Sequence, residues 1–384
     1  MVTSRTVVVA HPGMELYGSD RVLLDSVIAF LDDGRRVIVS APAEGPLAER
    51  LRAAGAEVTI APQFVLRKRL IKPRAWPEFF LTAWKGFRAS WRLLRQENPA
   101  VVYVSTITLP LWPVLARLRG ARVVLHVHEG EASASRIIKK ALYTPALFAH
   151  QVIVNSAFSR EVMASTYKRL TSRSVVLLNA VSGPTVVTPL REQLIPGPRL
   201  LYVGRLSPRK GPDLVIDALR ILDSRGVAAS LAIVGSTFEG YEWFEESLHE
   251  AIARAGLERR VKMYGFRADV WSFVESCDIF VVPSRYDEPF GNTAIEGALG
   301  ERPVIVSDTS GLREATAGVG TVYRVAPNSA AALADAVEAI SARWHEMREG
   351  VSATRNTMAQ RHSTSRYQET LTRLVFNDSH WHMQ

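Results

Sequence analysis

The chain of 384 residues is long enough for two domains, and its 47% hydrophobic and 22% charged content excludes wholesale disorder and collagen-like repeats. It carries 47 Lys+Arg against 38 Asp+Glu, a formal +9. The surplus is uneven: residues 1–180 hold 25 basic and 13 acidic side chains (net +12), and residues 181–384 hold 22 and 25 (net −3), so the first half should attract an anionic partner.

The first β-branched run, residues 6–10, begins too early for a signal peptide and has no cleavage site ahead of it, and a single cysteine makes a reducing cytoplasm the expected compartment. Further strands are predicted at 36–40, 57–60, 101–105, 123–128, 151–154 and 175–178, with amphipathic helices at 20–31, 47–54 and 79–95 between them. The uncharged stretch 98–116 approaches the length of a membrane span, but Pro99, Pro110 and Pro113 suit a strand, a loop and a helix start better. No transmembrane segment is predicted. Residues 182–199, with Gly183, Pro184, Pro189, Pro196, Gly197 and Pro198, read as an interdomain linker.

The rhythm restarts beyond it. Strands are predicted at 200–203, 230–234, 261–264, 279–282 and 304–307, and helices at 213–224, 241–255, 270–275, 293–300 and 330–348. Apolar strands alternating with helices imply parallel sheets covered on both faces. The expected organisation is an N-terminal Rossmann-like domain (1–181), the linker (182–199), a C-terminal Rossmann-like domain (200–360), and a terminal helix (361–384) returning to the first. The single cysteine, Cys277, rules out a disulfide framework and a multi-cysteine zinc site, and just before an apolar strand it reads as a small core residue.

The dinucleotide fingerprint G-x-G-x-x-G, the P-loop, the G-x-S-x-G elbow and an Asp-x-Asp pair are all missing. What stands out instead is Ser284-Arg285-Tyr286-Asp287-Glu288-Pro289-Phe290-Gly291-Asn292-Thr293-Ala294-Ile295-Glu296 after the strand 279–282. Asn292 is the expected N-cap of the next helix. Free N–H groups at that helix start, approached closely at Gly291, suit a diphosphate. Glu296 can accept two hydrogen bonds from ribose hydroxyls, and Glu288 can face a sugar ring. The bland alternative is a pair of solvated glutamates favoured by the helix dipole. The second constellation, Val203-Gly204-Arg205-Leu206 to Lys210-Gly211, puts two cations at a strand's carboxyl end. There they can neutralise a departing nucleotide diphosphate.

These segments resemble the retaining glycosyltransferases of family 4, which have the GT-B fold: two Rossmann-like domains facing each other across a cleft. Arg205 and Lys210 are similar to that family's donor-phosphate cations, and Glu288-Pro289-Phe290-Gly291 through Glu296 resembles its paired-glutamate signature. Tyr17-Gly18-Ser19-Asp20 resembles its glycine loop and His126-Val127-His128-Glu129 its strand-end histidine. Ser310 and Gly297 stand where the family usually has Gly and Ala, and the Gly18 loop has one glycine where many members have two.

The resemblance implies metal-independent transfer of a sugar, with retained configuration, from a nucleotide-diphosphate donor to a glycan or lipid-linked acceptor, and no cofactor. It implies that Arg205 and Lys210 hold the phosphates, Glu296 the ribose, Glu288 the sugar hydroxyls, and that His128 touches the donor sugar. Gly18, Phe266, Phe290, Gly291, Asn292 and Thr293 are expected to complete the donor site. The alternatives are a GT-B epimerase or phosphorylase, or a non-catalytic subunit. Retention of Arg205, Lys210, Glu288 and Glu296 argues against the last. Nucleic acid is not expected as a partner, because it would leave the donor motifs unexplained.

His126, His128, Glu129 and Glu131 also look like a metal site, against which no third histidine lies nearby. From 63 to 95 nine basic residues face one acid, Glu78, with Trp76, Phe79, Phe80, Trp84, Phe87 and Trp91 interleaved. The helical spacing of Phe80, Trp84, Phe87, Trp91 and Leu94 predicts a helix packed on the sheet. The loop holding Arg67, Lys68, Arg69, Lys72 and Arg74 has no such stripe and is the expected contact with an anionic membrane or lipid-diphosphate acceptor.

Overall fold

The computed structural model describes residues 5–67, 73–130, 132–238 and 240–376. Among the described residues thirteen strands form, all but the last where the sequence places β-branched runs: β1 (Thr6–Ala10), β2 (Arg36–Ala41), β3 (Glu57–Ile60), β4 (Val101–Val104), β5 (Arg122–Val127), β6 (Gln151–Val154), β7 (Ser174–Val176), β8 (Arg199–Val203), β9 (Ser230–Val234), β10 (Val261–Met263), β11 (Ile279–Val282), β12 (Val304–Ser307) and β13 (Val322–Val325). Every pairing is parallel, in the orders β3-β2-β1-β4-β5-β6-β7 and β10-β9-β8-β11-β12-β13. Both central strands, β4 and β11, are wholly buried, as strands covered by helices on both faces must be. In each sheet the order reverses beside the first strand, between β1 and β4 and between β8 and β11. At such points the loops leaving neighbouring strands diverge and ligands bind.

The chain divides into two compact units, Met1–Ala180 with Thr364–Gln384, and Val181–Ser363. In the first, the helix Thr364–Phe376 lies on the helix Gly18–Asp32. The Tyr367 hydroxyl is 2.8 Å from Ser26 Oγ, and Phe376 meets Phe30 edge to face.

Three expectations change. Residues 182–199 are not a free linker: Arg191 pairs with buried Asp278, buried Arg302 donates to the Thr188 carbonyl at 2.9 Å, and Trp344 Nε1 donates to the Arg191 carbonyl. The stretch is therefore stapled to the second unit, by charges far away in sequence. The predicted helix 330–348 is two helices, Ala330–Ala342 and Trp344–Arg361. β13 escaped the sequence reading because it is a sheet edge with only Val325 buried, so it carries no apolar run. Cys277 is a core thiol, pushed up to about 12 by burial and donating to the Val274 carbonyl. No described helix is long and apolar enough to cross a membrane.

Candidate active site

In the second unit the two sequence constellations leave adjacent strands at the switch point. β8 runs into Gly204, whose backbone comes so near β9 that a Cβ at Gly235 would stand 1.8 Å from the Gly204 oxygen. The chain then turns through Arg205–Lys210 and enters the helix Pro212–Ser224 at Gly211, which is left-handed at φ +67°. A Cβ there would meet the Pro283 carbonyl at 2.5 Å, so this loop lies directly against the end of β11.

Two arginines latch the loops together. Arg285 donates from both guanidinium nitrogens to Asp213 at 2.6 and 2.7 Å, and its backbone N–H donates to the Arg209 carbonyl. Arg209 in turn donates to the Asp287 carbonyl at 2.7 Å. Asp287 accepts from the Ser310 N–H and hydroxyl at 3.0 and 2.9 Å, so the serine that departs from the family pattern gains a bond of its own.

Within this frame Lys210 Nζ reaches both oxygens of Glu288, at 2.8 and 2.9 Å, and Ser284 Oγ donates to Glu288 at 2.6 Å. Glu288 is buried. Burial alone would raise its pKa, but Lys210 and Arg209 outweigh that and hold it below the ordinary carboxylate value. It is therefore an ionised acceptor at neutral pH and unsuited to act as an acid. Arg205 stacks its guanidinium 3.8 Å over the Phe238 ring.

The helix Asn292–Leu299 follows. Its N-cap is Gly291 at φ +120°, and Asn292 is its first helical residue, a correction to the expected asparagine cap. A Cβ at Gly291 would strike Leu312 at 2.5 Å, and one at Gly311 would stand 2.0 Å from the Glu288 carbonyl, so close packing here demands glycine. Glu296 lies one turn in and is buried. Thr293 is half-buried at the helix start. Phe290 is buried against His362, ring centroids 5.5 Å apart, so it offers a ligand backbone and no ring. Phe266 is half-buried in the loop after β10.

The first unit has its own cluster at the β1/β4 switch point, which the sequence reading missed. His11, directly after β1, lies with Nδ1 2.6 Å from Ser105 Oγ and Nε2 3.0 Å from Asp20 Oδ1. Asp20 also accepts from the Tyr17 N–H, closing the start of the helix Gly18–Asp32, whose first residue is Gly18. The only sequence signal for this triplet was a histidine at a strand's carboxyl end, since its partners lie 9 and 94 residues away.

His126 and His128 share one face at the end of β5, with rings 4.0 Å apart. His126 is enclosed and bonded to the Tyr103 hydroxyl. Burial drives His128 down to about 3, with His11 adding to the effect, so at neutral pH it is an uncharged hydrogen-bonding ring. Burial raises Glu129 to about 7, although Thr106 and the Ile107 and His128 N–H groups donate to it. Among the described residues no group of three or more His, Cys, Asp or Glu side chains is arranged to hold a metal ion; Glu131 lies outside them.

Of the five expected membrane cations, Lys68, Arg69 and Lys72 lie outside the described residues, and Arg67 and Arg74 are exposed. The aromatic helix contradicts the packing expectation. It runs Trp76–Glu97, and Phe80, Trp84 and Phe87 face solvent; only Gly86, Ser90 and Leu94 are buried. Its periodicity is real, but among the described residues most of the stripe is left exposed.

Two parallel-sheet α/β units, each with polar side chains gathered at its switch point, are the architecture of the GT-B fold. The comparisons agree. Residues 18–182 match the family model Glycosyltransferase Family 4 and residues 192–356 match Glycosyl transferases group 1, and the chain belongs to the glycosyltransferases that these models describe. It is 37% identical over 121 residues to mannosylfructose-phosphate synthase of Agrobacterium fabrum (30% of this chain, 26% of that one). It is 34% identical over 183 residues to glycogen synthase of Acidiphilium cryptum (44% and 36%). The chain thus spans about a quarter to a third of the length of these relatives. In fold it is similar to Anabaena Alr3699/HepE solved in complex with UDP and glucose, at TM-score 0.80 and 20% identity, covering 95% of this chain and 98% of that one. It is also similar to sucrose-phosphate synthase of Thermosynechococcus elongatus, at TM-score 0.75 and 18% identity, covering 96% and 98%.

Proposed function

We propose that the protein transfers a glycosyl unit from a nucleoside-diphosphate sugar to a hydroxyl of a glycan or lipid-linked acceptor, retaining the anomeric configuration and requiring no metal. The observation that carries this reading is the pairing of half-buried Lys210 with buried Glu288 and Ser284, with Glu296 one turn into the following helix, at the switch point of the second sheet.

Arg205 and Lys210 stabilise the diphosphate as the bond from its oxygen to the anomeric carbon breaks. The acceptor oxygen bonds that carbon on the same face, and its proton passes to the departing phosphate oxygen. Glu296 accepts from the ribose hydroxyls. Glu288, ionised, accepts from hydroxyls of the donor sugar, and the neutral ring of His128 suits a hydrogen bond with an uncharged hydroxyl. Two fixed cations supply the charge that a divalent ion would otherwise bring. The relatives named for UDP with glucose and for glycogen synthase fit this donor and acceptor chemistry. The basic first half fits a peripheral place at the inner face of a membrane, where lipid-linked acceptors are presented.

Thermal-shift screening with UDP-, GDP-, ADP- and dTDP-sugars tests the donor: a ligand at 100 times its dissociation constant adds about 2.7 kcal/mol of stability. Proton NMR of the product then gives its anomeric configuration, with and without EDTA. An inverted product contradicts retention. Loss of turnover in EDTA that one divalent ion restores contradicts metal independence, and no shift with any donor contradicts the site itself.

A further inference from the structure

The helix Trp76–Glu97 carries three parallel strips. Its 22 residues, at a rise of about 1.5 Å each, make it about 33 Å long. Phe79, Gly86, Ser90 and Leu94 form the docking strip: Phe79 meets Phe64 edge to face at 5.0 Å, and a Cβ at Gly86 would stand 2.5 Å from the Phe64 backbone nitrogen. Beside it Trp76, Phe80, Trp84, Phe87 and Trp91 fall within an arc of about 80°. Trp76, Phe80 and Trp84 remain 55%, 65% and 56% exposed. The third strip is Lys85, Arg88, Arg92 and Arg95, all exposed. Among the described residues none of these four is ion-paired, and Glu97 is already held by Arg36 at 2.6 Å. Between the last two strips runs a groove of about 460 Å³, lined in part by Trp84, Lys85, Arg88, Trp91, Arg92 and Arg95.

We propose that this face seats the protein on an anionic lipid bilayer, with the aromatic strip entering the headgroup boundary and the groove taking a lipid phosphate. Charge complementarity selects this occupant. Four unpaired cations would repel a second copy of the same face, whereas tryptophan beside arginine matches an interface with apolar chains below and phosphates above. A merely structural helix would bury the stripe, as the first unit does with its docking strip. The inference deepens the peripheral placement proposed above by naming the surface, and it moves that surface from the loop 67–74 onto the helix.

The test is sedimentation with vesicles of phosphatidylcholine containing phosphatidylglycerol, against phosphatidylcholine alone. Wild type should pellet with the first only, and release in 1 M salt, where the screening length falls to about 3 Å. Changing Lys85, Arg88, Arg92 and Arg95 to Gln should weaken binding by roughly a hundredfold or more. The variant Phe80→Gln, Trp84→Gln, Phe87→Gln should also lose the vesicles, while its melting temperature holds because those side chains are exposed. Retained pelleting by either variant overturns the proposal, as does equal binding to neutral vesicles or none by wild type. Concentration-dependent self-association abolished by the aromatic variant, without vesicle binding, would assign the face to a second copy and overturn it too. Nucleoside-diphosphate thermal shifts, measured on the same variants, should be unchanged. Absent shifts in wild type would defeat the donor reading and leave the vesicle result standing.

Discussion

Two strand-end clusters, Lys210 with Glu288 beside β11 and His128 with Glu129 after β5, treat buried charge in opposite ways. In the second unit Glu288 is buried but paired: Lys210 bonds both its oxygens, and its pKa falls below the ordinary value. In the first unit Glu129 receives only hydroxyl and backbone donors, and burial lifts it to about 7, while neighbouring His128 falls to about 3. One cluster keeps permanent charges and suits a charged leaving group. The other leaves His128 uncharged and Glu129 only partly ionised at neutral pH, which suits uncharged hydroxyls.

The comparison breaks most sharply at Lys210. Lys210→Ala should reduce transfer by about 100–1,000-fold, the usual cost of losing one donor to developing charge. It should also destabilise the second unit by roughly 2–4 kcal/mol, because Glu288 is left buried without its partner. Since the native pKa of Glu288 is depressed, its contribution is present above its unfolded pKa and fades as pH falls through the folded value. The stability gap between wild type and variant should therefore narrow in acid. Combining Lys210→Ala with Glu288→Gln should recover part of the lost stability, and thermal unfolding of the four proteins of this cycle against pH checks both points. A Lys210→Ala protein with unaltered melting and turnover would mean the pair is incidental.

A smaller effect sharpens the other side. Glu129 carries a raised pKa, so below its unfolded value near 4.5 it costs nothing. As pH rises from there to about 7 the unfolded chain ionises first and stability falls. Glu129→Gln cannot titrate, so its stability should decline less than that of wild type across this window, by about 1–2 kcal/mol after allowing for partial exposure. Denaturant midpoints at pH 5 and 8 measure it. Identical pH profiles would show that solvent reaches Glu129 freely.

These clusters were unequally legible in the sequence. The two segments that bring Lys210 to Glu288 were readable because in each a strand end, glycines and charges follow one another within a few residues. The alternation of strands and helices was equally local, so most strand positions were readable. His11–Asp20–Ser105 was not, because its members meet only when β1 and β4 pair. The same limit explains residues 182–199, whose proline-rich composition looks like a linker until Asp278 and Arg302 hold them. The aromatic helix teaches the converse. Periodicity of 3.6 shows that one face differs from the rest, but whether protein, lipid or solvent covers that face is decided elsewhere.

The central claim is that Glu288 and Glu296 divide the donor between them, sugar to the first and ribose to the second. Calorimetric titration of the free nucleoside diphosphate that the donor screen selects, into wild type, Glu296→Gln and Glu288→Gln, tests it most directly. The division predicts binding at least about tenfold weaker in Glu296→Gln, the loss of one charge-assisted contact. It predicts nearly unchanged binding in Glu288→Gln, whose defect should appear only in turnover. The reverse pattern, or equal weakening in both, would contradict it.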